Sequence, residues 1–298
     1  KLKKVLDEFK DSIKFENSIK KKNWFNIGGD TKVFYKANSL KELALFLKKL
    51  NNKEKIFILG AGSNTLMTDN FFDGVVIKLS KNFNNISLLG EDILIAGSAV
   101  LDKSLSDFAM NNSLSGFEFL SCIPGTIGGG IRMNAGCFGA EFKDILVSIQ
   151  AIDIVGNVKT IPAKDIKFEY RKNNLPDNLI FLSASFKGKK DDIPKISDQI
   201  LKLKTEKEKN QPTKIKTSGS TFKNPISQTD KKVWELIKES VPLDKCFGDA
   251  GISEKHCNFF VNKGDASFKD MTMLIDFVAK KVLEKTGISL EKEIKILE

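Results

Sequence analysis

Several residue types that often build active sites are nearly absent from this sequence of 298 residues. It contains one histidine, His256, and two tyrosines, Tyr35 and Tyr170. Of its 48 lysines and arginines, only Arg132 and Arg171 are arginine. A zinc site built on several histidines is therefore excluded within this chain, and only His256 could serve a Ser-His-Asp arrangement. The adjacent pair Tyr170 and Arg171 is the first candidate for a site.

Long apolar runs are also missing. Even the longest apolar runs are short, such as Gly74–Ile77, so the sequence predicts no membrane-spanning helix. The first residues contain no apolar core of a signal peptide. The four cysteines, Cys122, Cys137, Cys246 and Cys257, form no CxxC pair. Because no export signal is found, we expect reduced thiols in a cytoplasmic protein.

The net charge of +10 raises the question of a nucleic-acid partner. The lysines, however, are spread along the chain and interleaved with 38 acidic residues, and the densest runs, Lys187–Lys190 and Lys202–Lys209, lie in polar stretches. Arginine, whose guanidinium fork is favoured for contacts with bases and phosphates, is scarce. We therefore expect a solvated basic surface, with no nucleic-acid or membrane partner.

Helices and strands are mixed along the chain, in the composition of a soluble globular protein. Helices are predicted at Lys41–Leu50, Leu101–Asn111, Lys231–Glu239 and Phe268–Lys285, and strands at Ile56–Leu59, Val75–Leu79, Ile93–Ala96, Ile180–Phe186 and Leu290–Leu297. Gly156-Asn157, between Ile145–Val155 and Val158–Ile161, indicates a hairpin. This pattern predicts an α+β fold. The polar stretch Lys187–Pro194, followed by a charged helix to about Lys209, is the candidate linker between two parts that divide near residue 190.

Two glycine-rich segments are candidates for binding a phosphate group. GAGSN at Gly60–Asn64 follows a predicted strand, but the dinucleotide fingerprint requires a further glycine where Thr65 stands, and an acidic residue about twenty positions on is missing. Alone, this segment is more typical of a tight turn. PGTIGGGIRMNAGCFG at Pro124–Gly139 contains six glycines, which suggests the close approach of a large ligand. Together they predict one elongated, pyrophosphate-bearing cofactor held at two places.

Six segments are each weak signals alone, but their order and spacing together are specific for one protein family. They are GAGSNTL at Gly60–Leu66, IPGTIGGGIRMNAG at Ile123–Gly136, YRKN at Tyr170–Asn173, GSTFKNP at Gly219–Pro225, GISEKHCNFFVN at Gly251–Asn262 and LEKEIKIL at Leu290–Leu297. With NWFNIGG at Asn23–Gly29, they span nearly the whole chain. In these segments the sequence resembles the UDP-N-acetylenolpyruvoylglucosamine reductase (MurB) family of flavoenzymes, which act in peptidoglycan precursor synthesis.

The resemblance implies a fold and a reaction. The fold would be an FAD-binding region of the vanillyl-alcohol-oxidase/PCMH type over residues 1–190, with subdomains at about 1–85 and 86–190, and a C-terminal substrate-binding domain over 191–298. The reaction would use NADPH and FAD to reduce the small molecule UDP-N-acetylglucosamine enolpyruvate to UDP-N-acetylmuramate. We expect the protein to act as a monomer.

The resemblance also implies the residues of the site. Ser220 would be the proton donor, with Arg171 and Glu293 as its catalytic companions. FAD would be held by Gly60, Ala61, Gly62, Ser63, Asn64, Thr65, Pro124, Gly125, Thr126, Gly128, Gly129, Asn134 and Gly136. The substrate would contact Tyr170, Gln211, Lys223 and Asn224. No metal site is expected, and His256 has either a structural role or a substrate contact.

These residue types suit the implied chemistry. Hydride delivery to an enolpyruvyl group leaves negative charge at the neighbouring carbon and its carboxylate, which an arginine fork can hold and stabilise. The Ser220 hydroxyl can supply a proton, and Glu293 can polarise the enolate or orient the surroundings of Ser220. Without the motif order, Ser220 would be interpreted as an ordinary loop serine and Glu293 as a surface charge.

The sequence departs from the family pattern at a few positions. Trp24 and Asn26 replace the usual threonine and arginine near the N-terminus, Cys122 stands at a usual glycine position, and Cys137 and Cys257 stand where alanine is common. We expect Cys137 to be a small buried filler. With so few tyrosines, the chain resembles the shorter subclass, which lacks a tyrosine-bearing loop. Two alternatives remain, an oxidase of the same fold and a basic nucleotide- or nucleic-acid-binding protein without catalysis.

Overall fold

The computed structural model describes residues 2–298, which divide into two compact units. Unit 1 contains the residues up to Glu16, Lys32–Ala61 and Asp73–Lys207, and unit 2 contains Asn17–Thr31, Gly62–Phe72 and Glu208–Glu298. Residues 191–207, which the sequence prediction assigned to the second domain, thus lie in unit 1. Two N-terminal segments join the C-terminal residues in unit 2, which the sequence did not indicate.

The α-helices are α1 (Leu2–Val5), α2 (Leu40–Leu50), α3 (Asp102–Asn111), α4 (Ile127–Met133), α5 (Ile193–Asn210), α6 (Val233–Ser240) and α7 (Phe268–Thr286). The helices predicted from the sequence lie close to their predicted positions, whereas the short helix α1 and the glycine-rich helix α4 were not predicted. Among residues 2–298, no helix has both the length and the apolar character needed to cross a membrane.

The first sheet of unit 1 is covered by α2. Its strand order is Ile13–Ser18, Asp30–Ala37, Phe72–Leu79 and Lys55–Ile58, and the last two strands are parallel. The helix α2 begins where the Ser39 hydroxyl accepts a hydrogen bond from the Glu42 amide (3.1 Å). Its buried Phe46 stacks on Tyr35 with ring centroids 3.7 Å apart. Tyr35 is fully buried and therefore belongs to the core.

The second sheet of unit 1 is antiparallel. Its strand order is Val158–Pro162, Leu146–Ile152, Ile180–Lys187, Ile93–Gly97 and Ile86–Leu89. The predicted hairpin is present, although its turn is longer than Gly156-Asn157, because the Asp153 carboxylate accepts hydrogen bonds from the amides of Val155 (3.0 Å) and Asn157 (2.9 Å). The glycine-rich helix α4 packs on this sheet. Gly130 lies against the Phe142 ring, where a Cβ would overlap the ring carbons.

The polar stretch proposed as a linker is also structured. Lys189–Lys190 pairs with Leu114–Ser115 in a short antiparallel ladder, and α5 begins at Ile193.

A carboxyl group is buried at the start of α3. Asp102 is fully buried, and neither of its carboxyl oxygens has a hydrogen-bond partner within residues 2–298. The Ser106 hydroxyl, one turn further along the helix, is likewise buried and unpartnered in the described residues. Burial disfavours the charged form and raises the pKa of the Asp102 carboxyl well above its usual range.

This carboxyl makes stability depend on pH. The folded protein keeps the proton that the unfolded chain releases near pH 4, so the free energy of unfolding falls as pH rises above that value. Asp102→Asn removes this contribution. The stability of the variant relative to the wild type should therefore rise by up to about 1.4 kcal/mol per pH unit. Urea unfolding of both proteins between about pH 5 and pH 7 measures the difference, and parallel profiles would contradict the prediction.

Unit 2 is built around a small antiparallel sheet and two helices. Its strands are Cys246–Phe247, Ala250–Ile252 and Phe260–Asn262, and the helices α6 and α7 pack in the same core. A separate parallel pair joins Thr65–Met67 to Lys295–Leu297. The prediction of one strand over Leu290–Leu297 is wrong in extent. Residues 291–293 instead make hydrogen bonds to Thr221 and Lys223, and only the last three residues of the range form a strand.

Candidate active site

In unit 2, the segment that carries Ser220 is hydrogen-bonded on both sides. On one side, the Thr221 amide donates to the Asn258 carbonyl (2.8 Å), and Ser220 forms a β-bridge with Phe259. On the other side, the Glu293 amide donates to the Thr221 carbonyl at 2.8 Å. The structure therefore places the predicted catalytic residues Ser220 and Glu293 on neighbouring extended segments.

Asn258 fixes this segment with its side chain, which sequence reasoning had not assigned. Its Oδ1 accepts from the Phe222 amide (3.1 Å), and its Nδ2 donates to the Phe222 carbonyl (3.0 Å). The buried side chain thus takes the place of a paired strand. His256 supports Asn258, since its Nδ1 accepts from the Asn258 amide at 3.2 Å, and burial lowers the pKa of the His256 ring. These contacts give His256 a structural role.

Removing the Asn258 side chain should destabilise the protein strongly. Asn258→Ala leaves the buried amide and carbonyl of Phe222 unpaired, at about 1–3 kcal/mol for each group. We expect the free energy of unfolding to fall by about 2–4 kcal/mol in urea titrations. The matched control is Asn111→Ala, which changes an exposed asparagine and should stay within about 0.5 kcal/mol of the wild type. Equal stabilities of the two variants would show that the Asn258 side chain does not hold the Ser220 segment in place.

Part of the first glycine loop lies beside the same segments of unit 2. The Asn64 Nδ2 donates to the Glu293 carbonyl (3.1 Å), and the Lys295 amide donates to the Asn64 carbonyl (2.9 Å). The buried Ser218 hydroxyl donates to the Thr65 carbonyl at 3.2 Å. Gly62 has a left-handed φ of +71°, and a Cβ there would overlap the Lys22 carbonyl. The structure thus brings the predicted cofactor residue Asn64 into direct contact with the extended segment that carries Glu293.

The Ser220 hydroxyl is half-buried and has no hydrogen-bond partner among residues 2–298. The predicted substrate residue Lys223 forms an ion pair with Glu291, with Nζ and Oε1 2.6 Å apart. The Asn224 Oδ1 accepts from the Val233 amide (2.9 Å) at the start of α6, so that its side-chain oxygen is already bound within the protein. Gln211 is half-buried at the end of α5. The Ser220 hydroxyl, the Gln211 side-chain amide and the Asn224 Nδ2 donate to no acceptor within residues 2–298 and are available to a ligand.

Arg171 belongs to unit 1. Its Nη2 donates to the Gly136 carbonyl (2.7 Å), and its Nη1 lies 3.7 Å from Glu141 Oε1. The guanidinium carbon is 4.9 Å from the centroid of the Tyr170 ring. The arginine therefore lies at the end of the second glycine segment, and Glu141 is a partner that the sequence did not reveal.

Asparagine side chains hold the Arg171 turn against α4. The Asn173 Nδ2 donates to the Ile131 carbonyl (2.8 Å), and the Asn134 Nδ2 donates to the Glu169 carbonyl (3.1 Å). The Asn134 Oδ1 accepts from the Lys143 amide (3.0 Å), and its backbone closes α4 in the left-handed conformation. These bonds support the turn, while a contact between Asn134 and a cofactor stays a prediction.

The glycines of unit 1 leave amide groups open. The amides of Gly60, Ala61 and Gly129 donate to no acceptor within residues 2–298. A Cβ on Gly60 would lie 2.9 Å from the Thr126 hydroxyl, which makes no capping bond to α4. Several open amides beside a hydroxyl suit the oxygens of a pyrophosphate. The other predicted residues of this segment contribute main-chain bonds, since the Gly125 carbonyl accepts from the Asp102 amide (3.1 Å) and the Gly128 amide donates to the Ser98 carbonyl (3.0 Å).

Known proteins and family models are similar to this chain. The FAD binding domain model matches residues 31–161, and the C-terminal domain model of UDP-N-acetylenolpyruvoylglucosamine reductase matches residues 211–297. A UDP-N-acetylenolpyruvoylglucosamine reductase from Pelagibacter ubique (strain HTCC1062) is 66% identical over 99% of this chain and 98% of that protein. One from Rickettsia typhi (strain ATCC VR-144 / Wilmington) is 45% identical over 98% of this chain and 97% of that protein.

A solved structure is also similar to this chain. The crystal structure of UDP-N-acetylenolpyruvylglucosamine reductase (MurB) from Thermus caldophilus superposes with a TM-score of 0.81 at 28% identity, and it covers 96% of this chain and 98% of that one.

The fold and the match to the FAD binding domain model define the class of protein. The protein is an FAD-binding oxidoreductase with a PCMH-type FAD-binding region and the C-terminal domain that the second family model describes. Its likeness to whole-length relatives then decides the family. The chain belongs to the UDP-N-acetylenolpyruvoylglucosamine reductase family, and both the resemblance and the fold class expected from the sequence are confirmed.

Proposed function

We propose that the protein reduces UDP-N-acetylglucosamine enolpyruvate to UDP-N-acetylmuramate with NADPH as the reductant, in the synthesis of peptidoglycan precursors. The observation that carries this proposal is the arrangement of unit 2. There, the Ser220 segment is hydrogen-bonded to the extended segment of Glu293, and the Asn64 Nδ2 donates to the Glu293 carbonyl at 3.1 Å. The relatives, which share nearly the whole length of the chain, support the choice of substrate.

Ser220 donates the proton in this reaction. Its hydroxyl has no partner among the described residues, so that no internal hydrogen bond must break before it donates to a substrate carbon. The segment around it is held by main-chain bonds from both sides, which fixes the position of the Ser220 main chain. Positioning of this kind is a large part of general acid catalysis.

Arg171 and Glu293 act on the developing negative charge. Arg171 keeps two contacts within unit 1, to Gly136 and Glu141, and its planar fork binds the substrate carboxylate while those contacts hold its orientation. Glu293 polarises the reacting group or orients the surroundings of Ser220, and its main chain is fixed by Thr221 and Asn64.

The residues fit FAD. The open amides of Gly60, Ala61 and Gly129, beside the Thr126 hydroxyl, would hold its pyrophosphate. The other residues that the resemblance names stay predicted contacts of FAD. FAD supplies hydride transfer when it is bound. The protein residues hold, orient and shield the groups that react.

We also propose a division of labour along the chain. Residues up to about 190 supply most of the FAD-binding region and residues after Lys207 most of the substrate-binding domain, which is supported by family models that match residues 31–161 and 211–297. Gln211, Lys223 and Asn224 bind the nucleotide part of the substrate, and Tyr170 contacts the substrate beside Arg171.

NADPH oxidation by the purified, FAD-loaded protein tests this function. Oxidation that depends on UDP-N-acetylglucosamine enolpyruvate, with UDP-N-acetylmuramate identified by mass spectrometry, is the expected result. Oxygen consumption without that substrate would instead indicate an oxidase of the same fold. A purified protein without bound flavin would contradict both assignments.

A further inference from the structure

The other arginine of the chain, Arg132, lies in the last turn of α4, and its guanidinium group is bonded to one loop of unit 1. Its Nη1 donates to the carbonyls of Pro176 (2.9 Å) and, at a longer distance, Leu175 (3.4 Å), and its Nη2 donates to the Leu179 carbonyl (2.5 Å). The guanidinium carbon lies 4.2 Å from the centroid of the buried Phe181 ring. The side chain therefore joins α4 to this loop.

The loop is the exit of the hairpin that carries Arg171. The strands of this hairpin, Phe168–Glu169 and Lys172–Asn173, are joined by only two residue pairs. A two-stranded hairpin of this length has little stability of its own. Arg171, in its turn, has a left-handed φ of 54°, a conformation that persists only where the surroundings hold it. The orientation of Arg171 therefore depends on contacts between the hairpin and the rest of unit 1.

The helix α4 supplies those contacts. The Asn134 side chain bonds to the first strand at the Glu169 carbonyl (3.1 Å), and the Asn173 side chain bonds the second strand to the Ile131 carbonyl (2.8 Å). Arg132 completes this set, because it holds the residues that lead from the second strand back into the antiparallel sheet. The hairpin is thus bound to α4 at both strands and at its exit.

A guanidinium group suits this position better than an ammonium group. Its two terminal nitrogens reach separate carbonyls while the group lies over the Phe181 ring. An ammonium group has one nitrogen and no flat face. Of the 48 lysines and arginines, only two are arginine, and the structure places both at this hairpin, Arg171 in its turn and Arg132 at its exit.

We propose that Arg132 is a positioning residue for the reductase reaction. By holding the exit of the hairpin against α4, it keeps the Arg171 guanidinium in the orientation that binds the substrate carboxylate. This inference rests on the proposed function, in which Arg171 binds that carboxylate. Because α4 belongs to the glycine segment predicted to hold FAD, Arg132 also fixes the hairpin relative to that segment.

Arg132→Lys in the FAD-loaded protein tests the proposal. NADPH should bleach the flavin absorbance at close to the wild-type rate. Turnover of UDP-N-acetylglucosamine enolpyruvate should fall by about 10–10²-fold, because displacement of a positioned group by about 1 Å can cost 10²-fold. A general loss of folded protein would lower both rates together. Equal losses in the two rates, or an unchanged turnover, would overturn the proposal.

The matched control is Asn178→Ala. Asn178 is an exposed residue of the same loop, and its side chain makes no hydrogen bond within residues 2–298. This variant should reduce the substrate at the wild-type rate. Phe181→Leu, which removes the ring beside the guanidinium and leaves the hydrogen bonds of Arg132, should show the same selective loss of turnover to a smaller extent. It applies the test even if Arg132→Lys folds poorly, and wild-type turnover in it would count against the proposal.

A double variant shows whether Arg132 acts through Arg171. Arg132→Lys combined with Arg171→Lys should turn over about as fast as Arg171→Lys alone, because a residue that acts only through the Arg171 fork has no further effect once that fork is gone. If the two losses multiplied instead, Arg132 would act on the reaction by another route, and the proposed positioning role would be wrong.

Hydrogen exchange of the FAD-loaded protein without substrate distinguishes this proposal from the proposed function. In Arg132→Lys, peptides that cover residues 168–179 should exchange faster than in the wild type, while peptides that cover α2 should exchange equally. Unchanged exchange over residues 168–179 would overturn the proposal. A wild type that does not reduce the enolpyruvate substrate would contradict the proposed function, and the exchange result would still decide whether Arg132 holds the hairpin.

Discussion

Ser220→Ala should block product formation while NADPH still bleaches the flavin absorbance at close to the wild-type rate. The hydroxyl is needed only when the substrate carbon takes up a proton, and it makes no hydrogen bond within residues 2–298 whose loss would disturb the fold. Loss of a positioned proton donor lowers the rate by about 10²–10⁴-fold. Rapid-mixing absorbance measures the first half of the reaction, and mass spectrometry of the product measures the second.

The control for this variant is Ser227→Ala. Ser227 lies in the exposed turn that follows the Ser220 segment, so its hydroxyl is removed in the same part of the chain without touching the segment itself. It should form product at the wild-type rate. A Ser220→Ala protein that makes product normally would exclude Ser220 as the proton donor, and one that also loses reduction by NADPH would point to disrupted flavin binding instead.

Arg171→Lys should lower turnover by about 10²-fold even though the positive charge is kept. The Arg171 side chain is only 16% exposed and bonds to the Gly136 carbonyl and to Glu141. An ammonium group cannot keep these two contacts in the plane of the fork and also bind a carboxylate at two points. The residue has a left-handed φ of 54°, a strain that lysine would share, so the substitution tests the side chain alone.

The neighbour Lys172 provides the reverse substitution. Lys172→Arg changes an exposed side chain of the same turn and should leave turnover unchanged in steady-state assays. The two variants together distinguish the effect of the guanidinium geometry on turnover from the effect of the positive charge. Full activity of Arg171→Lys would show that a point charge is sufficient, and the bidentate role would then be abandoned.

Local structure was largely predictable from the residues. The helix α2 lies where apolar spacing predicts it, and α7 is capped by Ser267 and Gly287, in agreement with the usual capping preferences. The strand predicted over Leu290–Leu297 was too long, because alternation of apolar residues marks a buried face and does not tell which neighbour supplies the hydrogen bonds.

The sequence predicted which residues belong to the candidate site, but not how they contact one another. The motif order marked Arg171, Ser220 and Glu293, but no pattern indicated that Asn258 would pair with Phe222 or that Glu141 would lie beside Arg171. A buried asparagine and a half-buried glutamate look the same in sequence as exposed ones. Their roles depend on contacts with residues that are distant along the chain, Phe222 for Asn258 and Arg171 for Glu141.

The sequence by itself determined the class of chemistry and the family, because six ordered motifs carry that information without coordinates. It also determined most helices and strands, since periodicity and capping act over a few residues. The tertiary structure alone decided that residues 62–72 join the C-terminal residues, that Asn64 bonds to Glu293, and that Asn258 pairs with Phe222. These contacts depend on main-chain and side-chain groups that only packing brings together, and spacing along the chain does not encode them.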